Sequence, residues 1–179
     1  MTEDKVVLVN QQDEPLGTET KLKAHELGKL HRAFSVFIFY KDKGELKLLL
    51  QQRHPDKYHS GGLWTNTCCS HPRPEEAVLK GGERRLKEEM GITITLTQAG
   101  HFQYRAEFEN GLIEHEYDHV LVGVADSKSV DFNKTEVFAT RWTSIPDLLE
   151  DLEKYPEKFT PWFKQALDIA LESLDSMNL

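Results

Sequence analysis

Residues 84–92, RRLKEEMGI, come at the end of a stretch whose composition favours an α-helix. We expect this helix to span residues 74–90 and to end at Gly91, because glycine readily adopts the left-handed conformation that follows a helix. Two pairs of opposite charge are four residues apart and so share a helix face: Arg84 with Glu88, and Arg85 with Glu89. Salt bridges on the helix surface are the simplest explanation of both pairs.

The segments around this helix carry strand and turn patterns. Residues 33–40 are aromatic and β-branched, a glycine-containing turn follows, and residues 46–53 return as a second apolar run, which predicts a β-hairpin. Further strands and two C-terminal helices follow from similar patterns. The strands are predicted over 5–10, 101–108, 113–125 and 136–142, and an extended segment is predicted over 64–71. The helices are predicted to begin near Ser144 and at Thr160. The second helix would have Thr160 as its cap and apolar residues at 163, 166, 167, 170 and 174.

The composition of the chain limits its class. We expect one compact domain of the α/β (α+β) kind over residues 1–179, with mixed β-sheets flanked by helices. A net charge of −8 provides no basic field for a phosphate backbone and argues against nucleic acid as a partner. No apolar run approaches membrane-spanning length, so we expect no membrane partner. The two cysteines are adjacent and cannot form an ordinary structural disulfide, so we expect reduced thiols and a cytoplasmic location. We also expect a monomer.

The stretch WTNTCCSHP, residues 64–72, places two adjacent cysteines just before a histidine. Side chains alternate in an extended segment, so Cys69 and His71 project to one side and Cys68 to the other. Cys68 is then most simply a small buried residue, whereas Cys69 shares a face with a possible metal ligand or base. For Cys69, burial and a chemical role are equally good interpretations of this stretch alone.

Five residues from separate segments could together ligate a divalent ion: His25, His31, His71, Glu114 and Glu116. Each alone has a simpler explanation, a surface histidine or a solvated strand face. Two carboxylates on one strand face repel each other unless a cation or a proton lies between them. The mixed nitrogen and oxygen set suits Mn²⁺, Zn²⁺ or Mg²⁺.

The helix resembles the second half of the Nudix box, which reads R-E-apolar-x-E-E-x-G-apolar. Here Arg84, Leu86, Glu88, Glu89, Gly91 and Ile92 match it, and the earlier glutamate of the box falls at Glu76. Ser70 stands where the box opens with glycine, and Arg85 replaces a glutamate. The resemblance implies a Nudix-like fold, and the missing carboxylate argues against hydrolysis of a diphosphate.

WTNTCCSHP, taken with AHELGKLHRAFS, YRA at 104–106 and EHE at 114–116, closely resembles type I isopentenyl diphosphate isomerase, a Nudix-fold family. The resemblance runs from about residue 21 to residue 162. By position the resemblance implies that the catalytic residues are Cys69, Glu116 and Tyr104. It implies one metal ion bound by His25, His31, His71, Glu114 and Glu116, and a magnesium ion bound by Glu89. The implied diphosphate contacts are Lys21, Arg53, Lys57 and Arg85, and Trp162 would form an aromatic wall for the isoprenoid.

The activity that this resemblance implies is interconversion of isopentenyl diphosphate and dimethylallyl diphosphate, a step of isoprenoid biosynthesis. Its cofactors would be Mg²⁺ on the substrate diphosphate and one further divalent ion, Mn²⁺, Zn²⁺ or Mg²⁺. Glu116, polarised by the metal and Tyr104, would donate a proton on one side of the alkene, and Cys69 would accept one on the other if the local field lowers its pKa. Two alternatives stay open, a Nudix diphosphate hydrolase and a non-catalytic metal- or ligand-binding domain.

Overall fold

The structure is a computed structural model of the chain and describes residues 4–177 and 179. Within these residues, the strands are β1 (Lys5–Val9), β2 (Pro15–Thr20), β3 (His31–Asp42), β4 (Glu45–Arg53), β5 (Trp64–Thr65), β6 (Cys68–Ser70), β7 (Thr97–Glu107), β8 (Ile113–Val124) and β9 (Val137–Ser144). The helices are α1 (Lys21–Leu27), α2 (Val78–Met90), α3 (Ile145–Lys154) and α4 (Phe163–Leu174), with short 3₁₀ turns at Pro156–Lys158 and Asp175–Met177.

β3 is the central strand of the mixed sheet. It pairs parallel with β8, from His31 opposite Glu116 to Phe39 opposite Val124, and antiparallel with β4 and β6. The other pairs, β7 with β8, β4 with β9 and β1 with β2, are antiparallel. The predicted hairpin of residues 33–53 and the predicted mixed sheet are therefore confirmed.

Helices cover both faces of this sheet, so β3 is buried on both sides. One set of β3 side chains, which includes Val36, packs with Leu86 of α2, and the alternate set, which includes Phe37, packs with Phe163 of α4. Burial on both faces explains why residues 33–40 are continuously apolar instead of alternating with polar residues. The five apolar positions that the sequence predicted on α4 are all buried.

Two helix starts differ from the sequence-based expectation. α2 begins at Val78, after the expected start at residue 74, because Glu75 has a left-handed backbone (φ 65°) and the Glu76 carboxylate accepts a hydrogen bond from the Arg73 N–H at 2.8 Å. α4 begins at Phe163, and Thr160 does not cap it. The hydroxyl of Thr160 instead bonds that of Thr65 at 2.8 Å.

Other elements were placed incorrectly or missed at the sequence level. The proline and glycine of residues 11–17 predict a turn there, but residues 15–17 belong to β2. β7 begins at Thr97 instead of residue 101. The sequence did not predict α1, whose seven residues are too few for a clear helical period. The extended segment 64–71 contains two short strands, separated by Asn66 and Thr67. No helix of the described ranges is long and apolar enough to cross a membrane.

The glycine that ends α2 allows a stability test. Gly91 has φ 68°, and a Cβ placed on it would lie 2.5 Å from the carbonyl oxygen of Asp131. We expect Gly91→Ala to lower the free energy of unfolding by more than the roughly 1–2 kcal/mol that a left-handed backbone costs, because the Asp131 backbone must also shift. Gly44→Ala is the matched control, since Gly44 has φ 89° and open space around it. Urea unfolding compares the two, and equal losses would contradict the steric argument.

Candidate active site

A cavity of about 600 Å³ opens where β3, β6, β8, α2 and the start of α4 meet. The loop between β4 and β5, residues 54–63, forms part of its wall. The lining residues are mostly charged or polar, in contrast to the apolar layers on both sides of the sheet. A concave site of this size with converging ionisable groups suits a small charged ligand.

The two adjacent thiols face different surroundings. β6 pairs with β3 so that Cys69 lies opposite Ser35 and Cys68 opposite Val36. Cys68 is fully buried in the apolar layer beneath α2, whereas Cys69 lines the cavity together with His71. The alternation of an extended segment thus places only one of the thiols at the cavity.

A buried asparagine holds the Cys69 thiol. The Oδ1 atom of Asn66 accepts hydrogen bonds from the Cys69 thiol at 3.0 Å, from the indole N–H of Trp162 at 3.2 Å and from the Thr65 hydroxyl at 2.8 Å. The Asn66 amide group in turn donates to the carbonyl oxygens of Val36 and Cys68. Sequence reasoning missed this residue, although it lies inside the quoted motif, because an isolated asparagine gives no signal of which side chains it contacts.

The environment of Cys69 disfavours a thiolate. Burial, and then the charge of Asp118, raise the pKa of Cys69 to about 12. Ser35 lies between the two groups, donating to the Asp118 carboxylate at 2.8 Å with its hydroxyl oxygen 3.8 Å from the Cys69 sulfur. The sequence-based condition that the local field lowers the pKa of this thiol is therefore not met, and Cys69 is protonated at neutral pH.

Three imidazoles and one carboxylate converge beside this thiol: His25, His31, His71 and Glu116. Their ligand atoms all lie within 4.8 Å of one another. The Nε2 atoms of His31 and His71 are 3.2 Å apart, and Glu116 Oε1 is 3.0 Å from the His71 nitrogen. Burial alone would raise the pKa of Glu116, but the contacts of its carboxylate with the His31 and His71 imidazoles outweigh burial and hold that pKa well below the usual range.

The hydrogen bonds around this histidine cluster fit a divalent ion. The Nδ1 atoms of His25 and His31 face the carbonyl oxygens of Lys21 and Lys29, at 2.6 and 2.8 Å. Each Nδ1 must therefore carry the proton, which leaves the Nε2 lone pair directed at the cluster. His25 Nε2 is buried and has no hydrogen-bond partner within residues 4–177 and 179. Two imidazole lone pairs and a carboxylate facing one another call for a cation, so the donor set fits a divalent metal.

Glu114 belongs to a second group of possible ligands. The sequence-based set placed it with the other four residues. In the structure its ligand atom groups with those of His25 and His59, and His25 belongs to both groups. Glu114 Oε2 is buried with no hydrogen-bond partner in the described part of the chain. Burial, with the neighbouring charge of Glu116, raises the pKa of Glu114 well above the usual value. Sequence reasoning missed His59, whose only signal was the histidine content of its loop.

Several lysine and arginine side chains line the same cavity, and they include the four predicted diphosphate contacts, Lys21, Arg53, Lys57 and Arg85. The Arg53 guanidinium lies over the Trp162 ring, 5.5 Å from its centroid. Burial, and then the charges of Lys57 and Arg53, lower the pKa of Lys21. Cations that disfavour one another in this way are stabilised by an anion placed between them.

Arg85 is engaged by carboxylates of the protein. It forms ion pairs with Glu88 at 2.7 Å, with Glu89 at 2.5 Å and with Glu136 at 2.5 Å. Glu89, the predicted magnesium ligand, lines the cavity but lies outside the histidine cluster. Its second oxygen accepts a hydrogen bond from the Gln51 amide at 3.1 Å. Both oxygens of Glu89 are therefore paired within the protein.

Two aromatic residues complete the site. Tyr104 of β7 lies opposite Glu116 of β8, and its buried hydroxyl has no hydrogen-bond partner among the described residues. Burial, followed by the charges of Glu116 and Glu114, raises the pKa of Tyr104 well above its usual value, so the phenol stays protonated. Trp162 lines the cavity, with its ring centroid 6.1 Å from that of Tyr104.

Comparison with solved structures identifies the fold. The MutT protein of Methanosarcina mazei matches with a TM-score of 0.63 at 20% identity, over 80% of this chain and 95% of that one. The NUDIX domain of Shewanella oneidensis NrtR, solved with ADP ribose, matches with a TM-score of 0.63 at 17% identity, over 81% and 87% of the two chains. These likenesses show a Nudix fold, as the sequence resemblance implied.

Sequence comparison identifies the family. Residues 29–163 match the NUDIX domain family. The isopentenyl-diphosphate Delta-isomerase of Photobacterium profundum is 48% identical over 97% of this chain and 98% of its own length. The protein of the same name from Burkholderia multivorans is 50% identical over 90% and 89% of the two chains. The chain therefore belongs to the isopentenyl-diphosphate Delta-isomerase family of Nudix-domain proteins.

Proposed function

We propose that this chain interconverts isopentenyl diphosphate and dimethylallyl diphosphate, with the alkene held between Cys69 and Glu116. The observation that carries the proposal is that one cavity is lined by a thiol, by members of a carboxylate–imidazole cluster and by a set of cations. Acid–base groups suit movement of a double bond, and the cations suit a diphosphate. The relatives that carry the isomerase name cover nearly the whole chain, which supports the same activity.

The reaction requires one proton donor and one proton acceptor. An alkene without activating groups is a weak base, so its protonation gives a tertiary carbocation that survives only where water is excluded. Cys69 holds a proton at neutral pH, and Glu116 is ionised beside its histidines. In this state Cys69 gives a proton to one carbon, and Glu116 removes one from another. The Trp162 ring, on the cavity wall, stabilises the cation between these steps.

Each turnover exchanges the protonation states of the two groups. Once Cys69 has donated and Glu116 has accepted, the site holds a thiolate and a carboxylic acid. That is the pair which the family resemblance assigns, with Glu116 as donor beside Tyr104 and Cys69 as acceptor. By microscopic reversibility this second state performs the opposite reaction, so a proton must return from Glu116 to Cys69 before the first direction repeats.

The charges of the cavity position the diphosphate and the metal ions. Lys21, Arg53 and Lys57 line the cavity and would hold the diphosphate. Glu89 would ligate Mg²⁺ on that diphosphate after releasing Arg85. The histidine cluster and Glu114 would hold the further divalent ion, Mn²⁺, Zn²⁺ or Mg²⁺. When bound, that ion would offset the charge of the buried carboxylates and would polarise Glu116.

The arrangement of α2 argues against a diphosphate hydrolase. Hydrolases with the Nudix box use a set of carboxylates to bind metal ions that activate water, as the sequence comparison with the box implies. Here the Arg85 guanidinium forms ion pairs with Glu88, Glu89 and Glu136 and offsets part of their negative charge. The positive charge of Arg85 repels a metal ion at this position and attracts a phosphate group. The site therefore favours binding of the diphosphate over its cleavage.

An assay of the isolated protein tests this function. We expect isopentenyl diphosphate to convert to dimethylallyl diphosphate in the presence of Mg²⁺ and Mn²⁺, and conversion to stop when a chelator removes both ions, because the buried carboxylates need a cation. Proton NMR of the product formed in deuterated water measures the conversion and the exchange of product protons with solvent deuterium. Phosphate release from nucleoside diphosphates is the parallel measurement. Release without conversion would replace the isomerase by a hydrolase, and neither activity would indicate a binding domain.

Substitution of the two cysteines separates the reacting thiol from the buried one. We expect Cys69→Ala to lose isomerisation, because only Cys69 lines the cavity. Cys68→Ala should keep most of the activity, with a modest loss of stability from its fully buried position. Turnover and thermal unfolding are measured on both variants. Similar activity in the two would remove Cys69 from the mechanism.

Alkylation in the Cys68→Ala variant checks the state of Cys69. With a pKa of about 12, the thiolate fraction and hence the rate should rise roughly tenfold per pH unit between pH 7 and 10. Mass spectrometry follows the reaction, and a substrate analogue should slow it. A rate that levels off near pH 7 would show that the resting group is a thiolate.

Substitution of Arg85, the residue that departs from the hydrolase box, tests whether its side chain binds the substrate. We expect Arg85→Ala to raise KM for isopentenyl diphosphate about tenfold or more, as loss of a charge-assisted contact of roughly 1.5–3 kcal/mol does. Lys80→Ala is the control on the same helix, since Lys80 lies outside the cavity lining and pairs with Glu83. Initial rates give KM, and urea unfolding checks the fold. An unchanged KM in Arg85→Ala would leave Arg85 with the structural role that its three ion pairs already provide.

A further inference from the structure

His25 belongs to two groups of metal-ligating side chains that share it. One is the histidine cluster with His31, His71 and Glu116, and the other joins His25 to His59 and Glu114. The ligand atoms of the second group also lie within 4.8 Å of one another, and all three residues are buried. His59 comes from the loop of residues 54–63, not from the sheet or α1, and the resemblance to the isomerase family assigns it no role.

We propose that the Nε2 atom of His59 is a further ligand of the divalent ion of the histidine cluster, which it binds together with Glu114. This inference deepens the proposed function and rests on it, because it adds a ligand to the metal of the same site. The ion would then be held by four imidazole nitrogens and two carboxylates. Six-coordination by nitrogen and oxygen suits Mn²⁺ and comparable divalent ions.

The hydrogen bonds of this second group leave its ligand atoms free for a cation. The Nδ1 atom of His59 faces the Ser60 hydroxyl at 3.4 Å, so a proton on Nδ1 directs the Nε2 lone pair toward Glu114. His25 Nε2 and Glu114 Oε2 are both buried, and neither has a hydrogen-bond partner among the residues that the structure describes. Buried polar atoms with no partner are rare, and a shared cation would satisfy both of these.

The separation between His59 and Glu114 fits shared coordination better than a direct bond. His59 Nε2 lies 3.6 Å from Glu114 Oε1, which is longer than a hydrogen bond. Two ligands of one ion can lie up to roughly 4.4 Å apart, twice a typical ligand distance. The imidazole is also held in place, because it stacks on Phe108 with centroids 4.6 Å apart and packs edge-on against Trp162. A ligand held in this way loses little freedom on binding.

The position of His59 connects the ion to the substrate end of the cavity. Its loop also carries Lys57, one of the cations proposed to hold the diphosphate. Coordination of His59 would therefore fix the loop against the sheet and hold Lys57 near the diphosphate. In this arrangement metal binding prepares the diphosphate site as well as the acid–base pair.

Metal binding by the full-length protein tests the proposal without measuring turnover. Mn²⁺ affinity is measured by competition with a fluorescent chelator for the wild type, His59→Ala, His59→Gln and His54→Ala. We expect His59→Ala to raise Kd about tenfold or more, and His59→Gln to be equally weak, because an amide is a poor ligand for this ion. His54→Ala is the matched control, a histidine of the same loop outside both ligand groups, and should keep the wild-type Kd.

X-ray absorption at the manganese edge adds a direct count of bound imidazoles. We expect four in the wild type and three in either His59 variant. A wild-type Kd in His59→Ala overturns the proposal, and so does an affinity restored by His59→Gln, which would show that His59 only donates a hydrogen bond to Glu114. If His59→Ala fails to fold, His59→Gln and the imidazole count still decide the question. The two proposals can fail separately. If the protein does not isomerise the substrate, the metal-binding measurements still decide whether His59 is a ligand. If His59 proves not to be a ligand, the isomerisation assay still decides the function.

Discussion

The parallel pairing of β3 with β8 is the constraint on which both the core and the cavity depend. This register places His31 beside Glu116, and the antiparallel pairing of β6 on the other edge of β3 places Cys69 beside Ser35. A slip of one residue between β3 and β8 would turn the whole set of cavity side chains on one strand toward the other face of the sheet. The apolar layers against α2 and α4 exclude such a slip, because they would lose their buried side chains to water.

The cavity combines groups that are costly to bury separately. Glu114 and Asp118 have raised pKa values because of burial, and the pKa of Lys21 is lowered for the same reason. Ligands of opposite charge relieve both effects, a divalent ion on the carboxylate side and a diphosphate on the cationic side. The site therefore matches a metal-dependent reaction of a diphosphate whose chemistry takes place away from the phosphates. Arg85 supports this interpretation, because it occupies the carboxylate region of α2 that a hydrolase would reserve for metal ions.

Local patterns predicted much of the fold. The hairpin of residues 33–53, the end of α2 at Gly91 and the apolar face of α4 follow from residues close together in the chain. The predicted start of α2 was wrong because Glu75 has a left-handed backbone in a turn closed by hydrogen bonds between Arg73 and Glu76, which composition does not encode. The seven-residue α1 was missed, although it carries one of the site histidines.

The site was less accessible from sequence than the fold. Alternation in an extended segment placed Cys69 and His71 on one side, but the convergence of α1, β3, β6 and β8 depends on pairing between distant segments. Family resemblance supplied most of the remaining residues by position. Asn66 and His59 were missed because each is a single residue in irregular structure, where no period indicates direction. The pairing of Glu89 with Arg85 and Gln51 likewise depends on tertiary contacts.

The carbonyl oxygen of the Asn66 side chain makes Trp162 a natural optical reporter for the thiol. Both the indole N–H and the Cys69 thiol share that acceptor, at 3.2 and 3.0 Å. When the thiol loses its proton or turns toward a ligand, one donor leaves the oxygen and the bond to the indole strengthens. The fluorescence of a tryptophan depends on the polarity around its N–H group. The fluorescence of Trp162, at the start of α4, therefore depends on the protonation of the Cys69 thiol of β6 through the fully buried side chain of Asn66.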